Sequence, residues 1–151
     1  MKYLLDTGIL LRLVHRTDPL HTSVRDAVAR LNARGDTLNC GMQNIAEFWN
    51  VTTRPLSARG GFGLTPAEAE QGVVRIERNV TVLTDSPASY VEWKRLIVLH
   101  SVSGVQVHDT KLVALMNTNG IQHLLTLNPV DFRRFSGLVV VTPNDVLSGI
   151  P

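Results

Sequence analysis

MKYLLDTGILLR, residues 1–12, joins a short apolar run to a single acid and then to an amphipathic segment. A continuous apolar run such as Tyr3-Leu4-Leu5 that ends in Asp-Thr-Gly has the form of a buried parallel strand. Asp6 then stands at the strand's carboxyl end, where ligands bind in open α/β sheets. The same residues suit a helix start, so Asp6 is equally well placed to N-cap a helix from Ile9 to His15. The segment has no charged leader, long apolar stretch or small-residue cleavage site, and we read it as the start of the fold rather than a signal peptide or anchor.

Downstream of this stretch, strand and helix signals alternate. Val24, Ala27, Val28 and Leu31 share a face of a helix predicted over His21 to Arg34, closed by Gly35. Thr37 to Cys40 reads as a strand, and Met42 to Thr53 as a helix ended by Arg54-Pro55. Leu56 to Leu64 is glycine-rich without a nucleotide-binding fingerprint and reads as a loop. Thr65-Pro66-Ala67-Glu68 is a capping box opening a helix to about Arg78. Val80 to Leu83 is the next strand, and Ser86-Pro87 caps a helix whose apolar content predicts deep burial. Val107 to Gly120 is a helix, His123 to Leu127 a strand, Pro129 to Phe135 a short helix and Leu138 to Thr142 a last strand. This alternation predicts an α/β domain with a central parallel sheet covered on both faces.

The totals agree. The 151 residues fit one domain spanning 1–151, with 44% apolar and 19% charged residues and no disordered tract. No run is long and apolar enough to span a membrane. The one cysteine, Cys40, excludes an internal disulfide, suits a reducing compartment and reads as space-filling. Cysteine and histidine spacings do not match a structural zinc site. A net charge of +2 and a pI near 9.0 permit a nucleic-acid partner without requiring one.

Beyond Asp6, two acids fall in informative places. Asp109 shares a helix face with Leu112, Val113 and Met116, and an inward carboxylate is costly unless paired, hydrogen-bonded or metal-bound. The alternative is that Asp109 complements the helix dipole. Glu47 lies mid-helix beside Ile45, Phe48 and Trp49, where most glutamates are solvated. Asn128 and Asp131, in LTLNPVDF, follow a strand as Asp6 does, although Asp131 also suits a helix cap. Oxygen-rich positions on a parallel α/β domain suggest a hard cation such as magnesium or manganese, and with it phosphoryl chemistry.

The order of these blocks resembles that of the PIN-domain ribonucleases of the VapC toxin type, over nearly the whole chain. The matching residues are Asp6 and Thr7 in YLLDTGIL, Glu47 in MQNIAEFWNVTTRP, Asp109 in VHDTKLVALM, and the block LLTLNPVDFRRF. The resemblance implies a three-layer α/β/α fold with a central parallel sheet of four to five strands. It implies metal-dependent cleavage of single-stranded RNA, with Asp6 and Asp109 as principal Mg2+ or Mn2+ ligands and Glu47 as a ligand or holder of water. Thr7 would orient Asp6 by a hydrogen bond, and Asn128 or Asp131 would bind outer-sphere water. Arg12, Arg16, Lys111, Arg133 and Arg134 are candidate phosphate contacts, and His108 adjoins the site. Family members are cytoplasmic prokaryotic proteins, commonly homodimers, held inactive by a small antitoxin.

Two departures stand out. Gly8 replaces a usual Asn, which should loosen the turn, and Asn128 replaces the first acid of the last block, which favours a site built on Asp6, Glu47 and Asp109. Other readings are a PIN-like module that binds RNA or protein without cutting, and a dimeric aspartic protease suggested by Asp-Thr-Gly.

Overall fold

The computed structural model describes residues 1–149. Five strands are found among them, all parallel, in the order β3-β2-β1-β4-β5. They are β1 (Lys2–Leu5), β2 (Thr37–Gly41), β3 (Thr81–Leu83), β4 (His123–Leu125) and β5 (Val139–Val141). The central place is taken by β1, with Tyr3, Leu4 and Leu5 fully buried.

Strand side chains alternate between faces, and on β1 that alternation builds two cores. Tyr3 and Leu5 join Ile9, Val24, Leu31, Phe48 and Val146 in one cluster. That face is covered by α1 (Thr7–Val14), α2 (His21–Ala33), α3 (Met42–Thr53), α4 (Pro66–Glu77) and α7 (Pro143–Leu147). Leu4 joins Leu96, Leu112, Met116 and Phe132 on the opposite face. There the cover is α5 (Pro87–Leu99), α6 (Gln106–Thr118) and a 3-10 turn, Pro129–Phe132. Each fully buried Leu stabilises such a core by about 1.5–3 kcal/mol. The three-layer α/β/α arrangement is the expected one, and it rules out the protease reading, which needs a nearly all-strand fold.

Four expectations need correction. Three strands, β3, β4 and β5, are one or two residues shorter than their apolar runs: β3 begins at Thr81 and not Val80, β4 ends at Leu125 and not Leu127, and β5 spans only Val139–Val141. Pro143–Leu147, for which no element was expected, forms α7, where Thr142 accepts from the Asp145 N–H as a capping box does. Gly8 does not form a turn: it is the second residue of α1, and a Cβ there would meet Leu127 and Arg12 only at 3.7 and 3.9 Å. Nor is α5 deeply buried. Only Ser89 and Leu96 are buried on it, while Tyr90, Val91, Val98 and Leu99 are more than half exposed. Its apolar residues surround the helix, but only the stripe against α6 finds a partner.

Cys40 lies in the core, and burial pushes its thiol up to about 12, so it fills space as expected. No described helix is long and apolar enough to cross a membrane.

Candidate active site

Parallel pairing sets all five carboxyl ends along one edge of the sheet, and the site is built there. Leu5 lies level with Leu125 on β4, and the Asp6 N–H continues that ladder by donating to the Leu125 carbonyl at 3.0 Å. The next residues, Asp6 and Thr126, are therefore side by side. The Thr126 hydroxyl donates to Asp6 Oδ2 at 2.7 Å, and the Thr7 N–H donates to Asp6 Oδ1 at 2.7 Å. Both oxygens of Asp6 are thus oriented, and the residue also N-caps α1. The two readings of Asp6, cap and site acid, are compatible.

Glu47 arrives from β2. Its strand runs without a loop into α3, whose first turn is closed by Asn44 Oδ1 accepting from the Gly41 N–H at 2.8 Å. One turn further along, Glu47 is half-buried and fixed at both oxygens. Oε2 accepts from the Thr7 hydroxyl at 2.5 Å, and Oε1 accepts from Gln43 Nε2 at 2.8 Å. The fully buried Asn44 donates to the Thr7 hydroxyl oxygen at 3.0 Å. Thr7 therefore orients Asp6 through its backbone N–H, while its hydroxyl serves Glu47, a division the resemblance did not anticipate.

Asp109 lies in the first turn of α6, half-buried. Burial, then Asp131, Asp6 and Glu47, push its carboxyl up to about 6, opposed by His108. Asp6 is also raised, chiefly by burial and further by Glu47 and Asp131, against the lowering effect of its bonds from Thr126 and Thr7. Asp6, Glu47, Asp109 and Asp131 thus act on one another at one edge of the sheet. Asp131 is exposed on the 3-10 turn, and Asn128, also exposed, precedes it and makes no side-chain cap bond.

The basic residues divide. Arg12 pairs with Asp18 at 3.4 Å, Lys111 with Asp85 at 2.7 Å, and Arg134 with the Gln106 side chain at the start of α6. Arg133 is exposed beside Arg134. Arg16 is exposed, two residues beyond the end of α1 at Val14.

Three site-building side chains escaped the sequence, Thr126, Asn44 and Gln43, together with the bond from the Thr7 hydroxyl to Glu47. Their signals were slight. Gln43 and Asn44 precede Glu47 by four and three residues, and Thr126 directly precedes Leu127-Asn128.

Among the described residues no three His, Cys, Asp or Glu side chains form a ready-made metal cage. The donor set nevertheless fits a hard cation. It consists of carboxylates, two of which, Asp6 and Asp109, burial and neighbouring acids disfavour as anions, and a divalent ion relieves that repulsion.

The PIN domain profile matches residues 3–138. No curated protein sequence matches the chain. Among solved structures it is similar to VapBC2 from Rickettsia felis bound to a promoter DNA fragment, at 14% identity over 94% of this chain and 98% of that one, TM-score 0.71. VapBC-1 from nontypeable Haemophilus influenzae aligns at 20% identity over 95% and 99%, TM-score 0.65. Mycobacterium tuberculosis VapC20, described as a sarcin-ricin loop cleaving toxin, aligns at 19% identity over 81% and 86%, TM-score 0.57. At these identities the likeness is one of fold.

Proposed function

We propose, from the premise that this chain belongs to the PIN domain family, that it is a metal-dependent endoribonuclease cleaving single-stranded RNA, and the toxin of a toxin–antitoxin pair. One observation carries this reading. The acids Asp6, Glu47 and Asp131, from separate elements, act electrostatically on Asp109, and burial together with that repulsion raises the carboxyls of Asp6 and Asp109 above their ordinary value. A structural role does not account for mutually repelling acids whose oxygens are oriented by Thr126, Thr7 and Gln43.

Asp6 and Asp109 would be the principal ligands of Mg2+ or Mn2+, with Glu47 as a further ligand or a holder of water. A divalent ion supplies Lewis acidity toward water and the scissile phosphate. The chain's own residues do the positioning. Thr126 and the Thr7 N–H fix Asp6, the Thr7 hydroxyl and Gln43 fix Glu47, and Asn44 holds Thr7. Of the two residues in the last block, Asp131 is the better candidate for outer-sphere water, because its charge already acts on Asp6 and Asp109. Arg12, Arg133 and Arg134 are candidate phosphate contacts. The toxin–antitoxin complexes among the similar folds support a small antitoxin as partner, and we extend the reading to a cytoplasmic homodimer.

The test is cleavage of single-stranded RNA by purified protein with Mg2+ or Mn2+ and with chelator. Asp6→Asn and Asp109→Asn should each abolish cleavage while retaining the parent's circular dichroism. Cutting at the parent's rate by both variants would show the site to be misassigned, and binding without metal-dependent cutting would identify a passive RNA-binding module.

A further inference from the structure

A cleft of about 330 Å3 opens between α5 and α6, lined by Asp85, Ser89, Tyr90, Trp93 and Lys111. That volume lies at the lower end of small-molecule sites, roughly 300–1,000 Å3. Its position follows from the topology. Asp85 comes two residues after the carboxyl end of β3, on the same edge as Asp6, because β3 runs parallel to β2 with Leu83 level with Gly41. Lys111 is two residues beyond Asp109 on α6. Trp93 Nε1 donates to the Val107 carbonyl at 3.0 Å, two residues before Asp109, and so ties the cleft wall to the turn that carries that acid.

The lining is unusual for this surface. Aromatic residues are only 5% of the chain, yet Tyr90 and Trp93 stand here with ring centroids 6.1 Å apart and planes tilted by 37°. Tyr90 is 57% exposed. Of the three lysines in the chain, Lys111 lines the cleft and Lys94 lies against the ring of Tyr90. Lys94 lies over the Tyr90 ring, 5.6 Å from its centroid, and Lys111 pairs with Asp85 at 2.7 Å on the rim. Trp93 is half-buried against the core, so Tyr90 carries the open face. An exposed aromatic ring beside a cation is an element by which single-stranded nucleic acid is held, with a base stacked on the ring and a phosphate paired with the cation. The Lys111–Asp85 pair adds a donor and an acceptor that a base edge can engage.

We infer that this cleft is a nucleobase subsite, which stacks one unpaired base of the RNA against Tyr90 and Trp93 and places a neighbouring phosphodiester at the acid cluster. The inference rests on the ribonuclease reading for its substrate but not for its measurement. Stacking one base on an aromatic side chain is worth a factor of roughly 5 to 150 in affinity, so removing one ring should weaken binding by about tenfold.

The experiment uses Trp49→Phe protein, in which Trp93 is the remaining tryptophan, titrated in chelator with a short single-stranded oligoribonucleotide and with an abasic strand of equal length. The intact strand should quench Trp93 fluorescence, the abasic strand should not, and Tyr90→Ala should weaken binding of the intact strand about tenfold. In metal-dependent cleavage Tyr90→Ala should raise KM with kcat nearly unchanged. Equal quenching by both strands, no quenching by either, or unaltered affinity in Tyr90→Ala would each overturn the subsite. Base-dependent quenching without any metal-dependent cleavage would uphold the subsite and refute the nuclease. Cleavage that depends on Asp6 and Asp109 but ignores Tyr90 and the bases would do the reverse.

Discussion

Replacing Asp109 by Asn should make the metal-free protein more stable. Its carboxyl is raised from 3.8 to about 6, by burial first and then by Asp131, Asp6 and Glu47. The folded state therefore holds a proton that the unfolded chain releases between those two values. Stability falls as pH rises through that window, and above about pH 6 the whole penalty is present. At 1.36 kcal/mol per pH unit the displacement corresponds to roughly 3 kcal/mol. Asp109 is only half-buried, so solvent screening reduces this to about 1–2 kcal/mol. Asn keeps the shape and removes the charge. For a domain of this size, at 2–4 °C per kcal/mol, the gain is about 2–8 °C. The assay is thermal unfolding of parent and variant in chelator at about pH 7.5 and about pH 4.5, where the difference should shrink to under half. Using the difference cancels titrating groups outside the acid cluster, among them His123, which burial lowers. Adding Mg2+ should raise the parent's Tm and leave the variant's nearly unmoved. A variant no more stable than the parent at the higher pH, or a gap equal at both, would refute the electrostatic account of the site.

Thr126→Val keeps the buried volume but removes the hydroxyl that serves both Asp6 Oδ2 and the Asn128 N–H. It should cost about 1–3 kcal/mol in stability and weaken metal affinity by about 10–100-fold; calorimetric titration with Mn2+ giving the parent's affinity would show that Asp6 needs no such support. Gly8→Ala should stabilise the fold by about 0.5–1 kcal/mol, since the position is helical and open to a Cβ. A lower midpoint in urea for that variant would mean that the glycine is needed for more than helix geometry.

Much of the fold is legible in local chemistry. Thr65, Pro66 and Glu68 mark a helix start, Gly35 and Gly120 take the positive φ of 78° and 62° that end helices, and the apolar run before Asp6 marks the central strand. Burial of α5 was not legible, because periodicity reports how apolar a helix is and not how many partners reach it. The candidate acids were named through the order of blocks, whereas of the side chains that orient them only Thr7 was. Thr126 and Asp6 are 120 residues apart and meet only because β4 pairs with β1 in one register.

What the sequence determines by itself is the set of chemical groups and the local turns that present them: an acid after an apolar strand, an acid in the first turn of an amphipathic helix, a glutamate among aromatic neighbours. Only the tertiary structure decides that these acids act on one another, that Thr7 serves two of them with different atoms, and that Tyr90 and Trp93 line a cleft between α5 and α6. The reason is physical. Helix starts and strand runs depend on bonds spanning a few residues, while electrostatic repulsion and side-chain orientation depend on distances of a few ångströms, and those are set by strand pairing across the whole chain.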